Sequence, residues 1–356
     1  MGKTYKAAIY YEGGDHGIVK IEERQLPDQV GDNDVVVKNL IATICGADAR
    51  CYRDGGGQAH MIWDGYEFGH EMVSEVVEVG KNVTDVKVGD WIFPNMGHAY
   101  HDHHRMATCG GFSEYLYLPD FTFEGDWTNS QAQPSAVMLD KSLGLENLCL
   151  LEPMTIGTRS ALDMKGRGTT AVVIGCGMIG LGCGIALKHI VGFEKVMMLD
   201  FSDYRLEIAK GYDLLTCNPS KEDLDAVLYE TFGETFGYGG KKCKADCWVD
   251  CIGIQPATDY FFKYARPMAT LGITGVFHEP CKIDAVSVCY NQQWIKGCGA
   301  TPLKYCFEMI MDMERNGIDL APLITHKIKL DDIEEGLKMF ADPQGVMKVA
   351  IDYVNN

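Results

Sequence analysis

No apolar run in the sequence approaches the ~18 residues needed to cross a bilayer, which excludes a membrane-spanning segment read from hydropathy. The first segment, residues 1–11, has no apolar core of the kind that marks a secretion signal, so a cytoplasmic location is expected. Basic residues are scarce: 32 Lys and Arg stand against 50 Asp and Glu, for a net charge of -18. Phosphate contacts need a basic surface, so neither a nucleic acid nor an anionic membrane is an expected partner. No internal repeat and no low-complexity tract is present. The cysteines number 14 in 356 residues, well below the density of a small disulfide scaffold. They read as reduced thiols, most of them buried small hydrophobes, leaving one or two as candidate ligands.

The length suggests two domains, and the pattern changes near residue 155. Before it, short β-type runs (Asp34–Val37, Met72–Val79, Trp91–Phe93) are parted by turns such as Val79-Gly80-Lys81-Asn82 and Val88-Gly89-Asp90. This predicts an irregular all-β region. From Thr169 onward strands and helices alternate. Thr170–Ile174 reads as a strand, Ile179–Ile190 as a helix, Lys195–Leu199 as a strand and Tyr204–Gly211 as a helix. Strands follow near Cys247–Cys251 and at Thr270–Val276. A βαβ series of this kind predicts a doubly wound parallel sheet with helices on both faces. The remainder reads as helix Leu303–Asn316, strand Thr325–Lys329, helix Asp331–Phe340 and strand Met347–Tyr353.

Between the first strand and helix of that series lies Gly175-Cys176-Gly177-Met178-Ile179-Gly180, a G-x-G-x-x-G loop. The hexamer alone is weak evidence. Here a strand precedes it, a helix follows it, and an acid, Asp200, ends the next strand. The first glycine permits the tight turn, the second lets a pyrophosphate approach the backbone, and the third lets helix and strand pack closely. Asp200 would accept hydrogen bonds from the ribose hydroxyls and repel a 2′-phosphate, which favours NAD over NADP. Met178, Ile179 and Arg205 join the candidate cofactor contacts. The alternative, a tight turn holding no ligand, has the strand, helix and acid together against it.

Three separated segments carry ligand-type residues: Cys45-Gly46-Ala47-Asp48, Gly69-His70-Glu71 and Glu152-Pro153. Thiolate, imidazole and carboxylate with one position left open form a catalytic-zinc ligand set. A lone histidine is more often a satisfied structural residue, and a lone buried cysteine is usually inert.

With these stretches, and with Val88-Gly89-Asp90, Gly110–Tyr115, Pro322–His326 and Asp332–Phe340, the sequence resembles the zinc-dependent medium-chain alcohol dehydrogenases, on the sorbitol, butanediol and threonine dehydrogenase side. The resemblance runs through nearly the whole chain in order. It implies a GroES-like catalytic domain (residues 1–156 and 298–356) and a Rossmann NAD-binding domain (157–297). It implies Cys45, His70 and Glu152 as zinc ligands, with Glu71 beside the metal and able to enter its shell. Asp48 would orient His70, and Ile156 and Ile179 would pack behind the nicotinamide. It also implies a homodimer or homotetramer.

Three departures from the family pattern stand out. Ala47 occupies a position where relatives carry a proton-relaying Ser or Thr. The four-cysteine lobe that holds a structural zinc is absent; Cys109 alone remains there, among His98, His101, His103 and His104, which read as a solvated loop. One zinc per chain is therefore expected. Finally, Thr122–Gln133 looks like an insertion, with Phe121, Phe123 and Trp127 shaping an entrance, an oligomer contact or an ordinary loop. The sequence thus predicts an NAD-dependent zinc oxidoreductase acting on a secondary alcohol or ketone: a polyol, diol, amino alcohol or bulky cyclic substrate, with Trp63, Tyr66, Phe93 and Trp294 as candidate pocket aromatics. A sugar 1-dehydrogenase, an aldehyde reductase and a non-catalytic NAD-binding relative are the alternatives. A zinc-free quinone-reductase relative is disfavoured by the Cys45/His70 pair.

Overall fold

The computed structural model describes residues 2–55, 62–95, 110–125, 134–299, 304–340 and 345–355. The histidine-rich segment 98–104, Cys109 and Trp127 lie outside the described residues. The chain divides into two compact units, one of Met1–Glu152 with Asp319–Asn356 and one of Pro153–Ile318.

In the first unit, a central strand Val35–Thr43 has antiparallel neighbours on both sides. Glu71–Val79 runs along one edge. The other edge is shared, Tyr115–Leu118 pairing with its first half and Lys348–Asp352 with its last residues. Trp91–Pro94, Ala136–Met138 and Ile324–Ile328 extend this to a seven-stranded sheet. A smaller sheet pairs Thr4–Glu12 with Gly17–Gln25 and Tyr66–Glu67. Val35–Thr43 is buried on both faces, so its residues form an almost continuous apolar run rather than an alternating one. The core between the layers includes Tyr10, Val37, Ile44, Phe68, Met72, Phe112 and Leu337. Phe68 meets Phe112 edge to face at 4.8 Å. Phe121, placed by sequence beside an insertion, is part of this core and packs edge to face on Phe123.

The second unit carries a six-stranded, all-parallel sheet in the order Leu215–Cys217, Lys195–Leu199, Thr170–Ile174, Cys247–Asp250, Thr270–Ile273, Trp294–Gly297. The order reverses at Thr170–Ile174, which creates the switch point where doubly wound sheets bind ligands. The fold is α/β, a GroES-like antiparallel domain together with a Rossmann sheet. Trp248, wholly buried, stacks on Tyr264 in a core that includes Phe261 and Leu271.

Local departures from the sequence reading have physical causes. The expected helix Ile179–Ile190 is α-helical only over Met178–Ala186. It then widens into a π-turn, Leu187–Val191, closed by left-handed Gly192. The strand expected over Thr270–Val276 stops at Ile273, because the Thr274 and Gly275 N–H groups turn to the Asp250 carbonyl. Helices Leu224–Phe232 and Gln255–Tyr264 and the hairpin Glu234–Gly237/Gly240–Cys243 were not read from sequence. No helix among the described residues is long and apolar enough to cross a membrane.

Candidate functional site

Cys45 is the N-cap of helix Gly46–Asp54, so the turn that starts the helix fixes its thiol. Asp48, at the third helical position, reaches back, and its Oδ2 accepts the Cys45 N–H at 2.9 Å. Its other oxygen, Oδ1, is buried and lies 3.6 Å from His70 Nδ1. That contact leaves His70 Nε2 as the imidazole nitrogen available to a metal. His70 and Glu71 stand where strand Glu71–Val79 begins. Cys45, His70 and Glu71 each bring a ligand atom to within 4.8 Å of the others.

Glu71 is only 1% exposed. Its Oε2 accepts a hydrogen bond from the Thr43 hydroxyl and pairs with Lys348 Nζ at 2.5 Å. Oε1 is buried and has no hydrogen-bond partner. Glu152, in the first turn of helix Leu151–Asp163, is buried beside the group, where His70, Glu71, Lys348 and Asp48 all act on its charge. It is not one of the three residues within 4.8 Å of one another.

The cluster concentrates acidic groups out of water. Burial pushes the Glu152 carboxyl up to about 7. Burial, then the neighbouring Glu71, raises the Cys45 thiol. Burial would lower His70, but Asp48, Cys45 and Glu152 outweigh it and raise the imidazole well above its ordinary value. Burial likewise opposes the Lys348 ammonium, and Glu71 and Cys45 outweigh it. An anion-rich, desolvated group with an unpartnered carboxylate oxygen suits a divalent cation. Cys45, His70 and Glu71 therefore fit zinc, and metal entry would displace protons from the thiol and the imidazole. Thr43 and Lys348 were not singled out by sequence. The available signal was a lysine opening the terminal strand Lys348–Asp352, ahead of the apolar run Val349–Ile351.

In the second unit the glycine loop joins strand Thr170–Ile174 to helix Met178–Ala186. Gly175 has φ +96°, and a Cβ on Gly180 would sit 1.8 Å from the Gly175 carbonyl oxygen, so both positions demand glycine. Gly177 differs: a Cβ there would meet only Arg205 Nη1, at 3.7 Å. The protein leaves that space open above the helix N-terminus, where a phosphate would approach. Met178 is buried, Ile179 and Ile156 half-buried. Asp200 follows strand Lys195–Leu199. Its Oδ2 accepts the Cys176 N–H at 2.7 Å and its Oδ1 the Ser202 N–H at 2.8 Å. Gly175, Gly177, Asp200, Arg205, Ile252 and Tyr260 are among the residues lining a cavity of about 460 Å³, and Arg205 Nε is buried without a partner.

Ala47 is half-buried in the helix that Cys45 caps. Of the candidate aromatics, Phe93 is core, Tyr66 pairs with Tyr10, and Trp294 lies on the edge strand of the second unit's sheet.

The folds and sites together define a two-unit oxidoreductase that pairs a GroES-like domain with a Rossmann domain. Residues 31–123 match the alcohol dehydrogenase GroES-like domain family. The chain is 28% identical to an L-threonine 3-dehydrogenase of Symbiobacterium thermophilum over 97% of both chains. It is 24% identical to the crystal structure of 2R,3R-butanediol dehydrogenase from Bacillus subtilis, with a TM-score of 0.77, covering 98% of this chain and 99% of that one. An alcohol dehydrogenase of Escherichia coli solved with NADH superposes with a TM-score of 0.78 at 22% identity, covering 99% and 100% of the two chains. Through its GroES-like segment and along its full length the chain is thus similar to the zinc-dependent medium-chain alcohol dehydrogenases. It is an NAD-dependent, zinc alcohol dehydrogenase-like oxidoreductase.

Proposed function

We propose that the chain interconverts a secondary alcohol and its ketone, using NAD(H) in preference to NADP(H) and one catalytic zinc. The observation that carries this reading is the approach of Cys45, His70 and Glu71 donors to within 4.8 Å, with Glu71 Oε1 unpartnered. Bound zinc supplies Lewis-acid polarisation of the substrate oxygen, and NAD(H) supplies the hydride chemistry. Cys45, His70 and Glu71 hold the metal, and Asp48 fixes the His70 ring through Nδ1. Glu152 stands beside them as a further carboxylate. Gly175, Gly177 and Gly180 seat the dinucleotide phosphates over the helix N-terminus, with Met178, Ile179 and Arg205 alongside. Asp200 would meet the ribose, and Ile156 and Ile179 would back the nicotinamide. The names of the relatives, a threonine 3-dehydrogenase and a 2R,3R-butanediol dehydrogenase, both designate a hydroxyl on an internal carbon, which supports a secondary alcohol.

Ala47 has no atom with which to take a proton. A water held by Glu71 or Glu152, or Glu71 itself, takes that role. The free thiols support a cytoplasmic setting. The edge strand Trp294–Gly297, with Trp294 46% exposed, supports a homo-oligomer that covers it.

An NAD(H)-coupled screen of secondary alcohols and ketones, run with Ala47→Ser in parallel, tests the reading. Turnover of ketones at one zinc per chain is expected, and a metal-free chain would refute it. If water fills the space beside Ala47, the added hydroxyl leaves kcat equal or higher. If the substrate fills it, KM rises for the true substrate and not for smaller alcohols. Loss toward every alcohol with zinc retained would defeat both versions.

A further inference from the structure

Three adjacent strands bring Lys348, Thr43 and Glu71 to one place. Thr43 lies directly opposite Glu71 across one antiparallel pair and opposite Ala350 across the other. Directly opposed residues project to the same face with their Cβ atoms close. Lys348 precedes Ala350 by two positions and so shares that face. All three side chains are at most 1% exposed. The Thr43 hydroxyl and the Lys348 ammonium both bind Glu71 Oε2, and neither binds Oε1.

A carboxylate can offer a metal either oxygen or both. Two donors on one oxygen remove that freedom: Oε2 is occupied and the side chain cannot turn without losing both contacts. We propose that Thr43 is a positioning residue for Glu71, holding it with Lys348 so that Oε1 alone is presented to the cation. This rests on the reading above that Cys45, His70 and Glu71 form the zinc site. The Thr43 side chain touches Glu71 rather than substrate, and it acts through geometry. A hydroxyl is required at this position, since a methyl of the same size fills the same volume and donates nothing.

The test uses the full chain with zinc and with cobalt(II) as its spectroscopic substitute. Thr43→Val keeps the β-branched shape favoured in a strand and deletes the donor. Losing a hydrogen-bond partner of a metal-ligating group typically costs about 10–100-fold in metal affinity, so Thr43→Val should weaken zinc by that factor in competition with a chelator. The visible absorption of the cobalt form should change as Glu71 gains the freedom to bind with both oxygens or to leave. Thr43→Ser should restore both the affinity and the spectrum. A loss of packing alone would not be rescued by serine, which lacks the methyl. Should Thr43→Val fail to fold, Thr43→Ala is judged on the same two readouts. Zinc affinity and cobalt spectrum unchanged from the unmodified chain would overturn the inference. If instead the unmodified chain binds no zinc, or Cys45→Ala keeps it, the zinc reading itself fails, and the two failures are told apart.

Discussion

The metal group of the first unit and the dinucleotide cavity of the second are built from different materials. Around Cys45, His70 and Glu71 the contacts are made chiefly by side chains, and Asp48, Glu71, Glu152 and Lys348 among them are charged and buried. Around Gly175–Gly180 the work falls to the backbone: a positive φ, a close carbonyl approach, a helix N-terminus and N–H groups that hold Asp200. A site made of buried charges stands or falls with single side chains, because removing one partner strands the others. A site made of main chain tolerates change in its walls but not an added Cβ where backbones touch.

The sharpest break in the first site is Cys45→Ala or His70→Ala. Either leaves two protein donors where three stood, and bound zinc should fall from stoichiometric to none by elemental analysis of dialysed protein. In the second site the matching break is Gly180→Ala. Its Cβ would meet the Gly175 carbonyl oxygen at 1.8 Å, so the loop must move. Overpacking of this kind costs about 1–3 kcal/mol, and NADH binding measured by fluorescence should weaken with it while zinc stays bound. Unaltered NADH affinity would show that the loop does not seat the cofactor.

Asp200→Gly sharpens the contrast, since Asp200 is the one acid among the cavity-lining residues. Its removal should lower the ratio of NADH to NADPH turnover by roughly tenfold, equivalent to about 1.4 kcal/mol. Equal use of both cofactors by the unmodified chain would contradict the role given to it. The smallest effect is expected at Asp246, which ties the start of the glycine-loop strand together. It accepts from the Thr169 and Thr170 N–H groups and pairs with Arg266 at 2.6 Å. Burial would raise its carboxyl, but those donors outweigh it and hold it below its ordinary value of 3.8. With the folded value depressed, its stabilisation is fully present above that ordinary value and is lost as pH falls through the folded one. Asp246→Asn should therefore lower the melting temperature modestly at neutral pH and lose its effect in acid; a constant difference across pH would point to packing instead.

What the sequence could show follows the same division. The glycine loop was legible because strand, turn, helix and acid lie within one βαβ stretch, where spacing and geometry are tied by local chain stiffness. The ligand residues were legible by type and family resemblance, but their mutual distances came only from the sheet that gathers them. Thr43 and Lys348 were hidden because strand periodicity reports which face a residue takes, not whether a charge on that face finds a partner. The hairpin Glu234–Cys243 was hidden for a related reason. Its Lys242 is 2% exposed, and Nζ binds the Phe262 and Lys263 carbonyls at the end of helix Gln255–Tyr264, a contact of some 20 residues' separation that no local pattern announces. The π-turn at Leu187–Val191 is a one-residue excess at the end of a helix, too small a change for a 3.6-residue periodicity to register.

The hydrogen bonds at Asp200 have an entropic consequence. Both carboxylate oxygens are already engaged, by the amides of Cys176 and Ser202, one from the loop that precedes the helix and one from the turn after its own strand. The acid that would meet the ribose is thus immobilised when the chain folds, not when the dinucleotide arrives. The rotamer freedom of that side chain is surrendered during folding and forms no part of the association step. A pocket prepared in this way receives its ligand with little rearrangement of its own, and the loss of freedom on binding falls on the flexible dinucleotide.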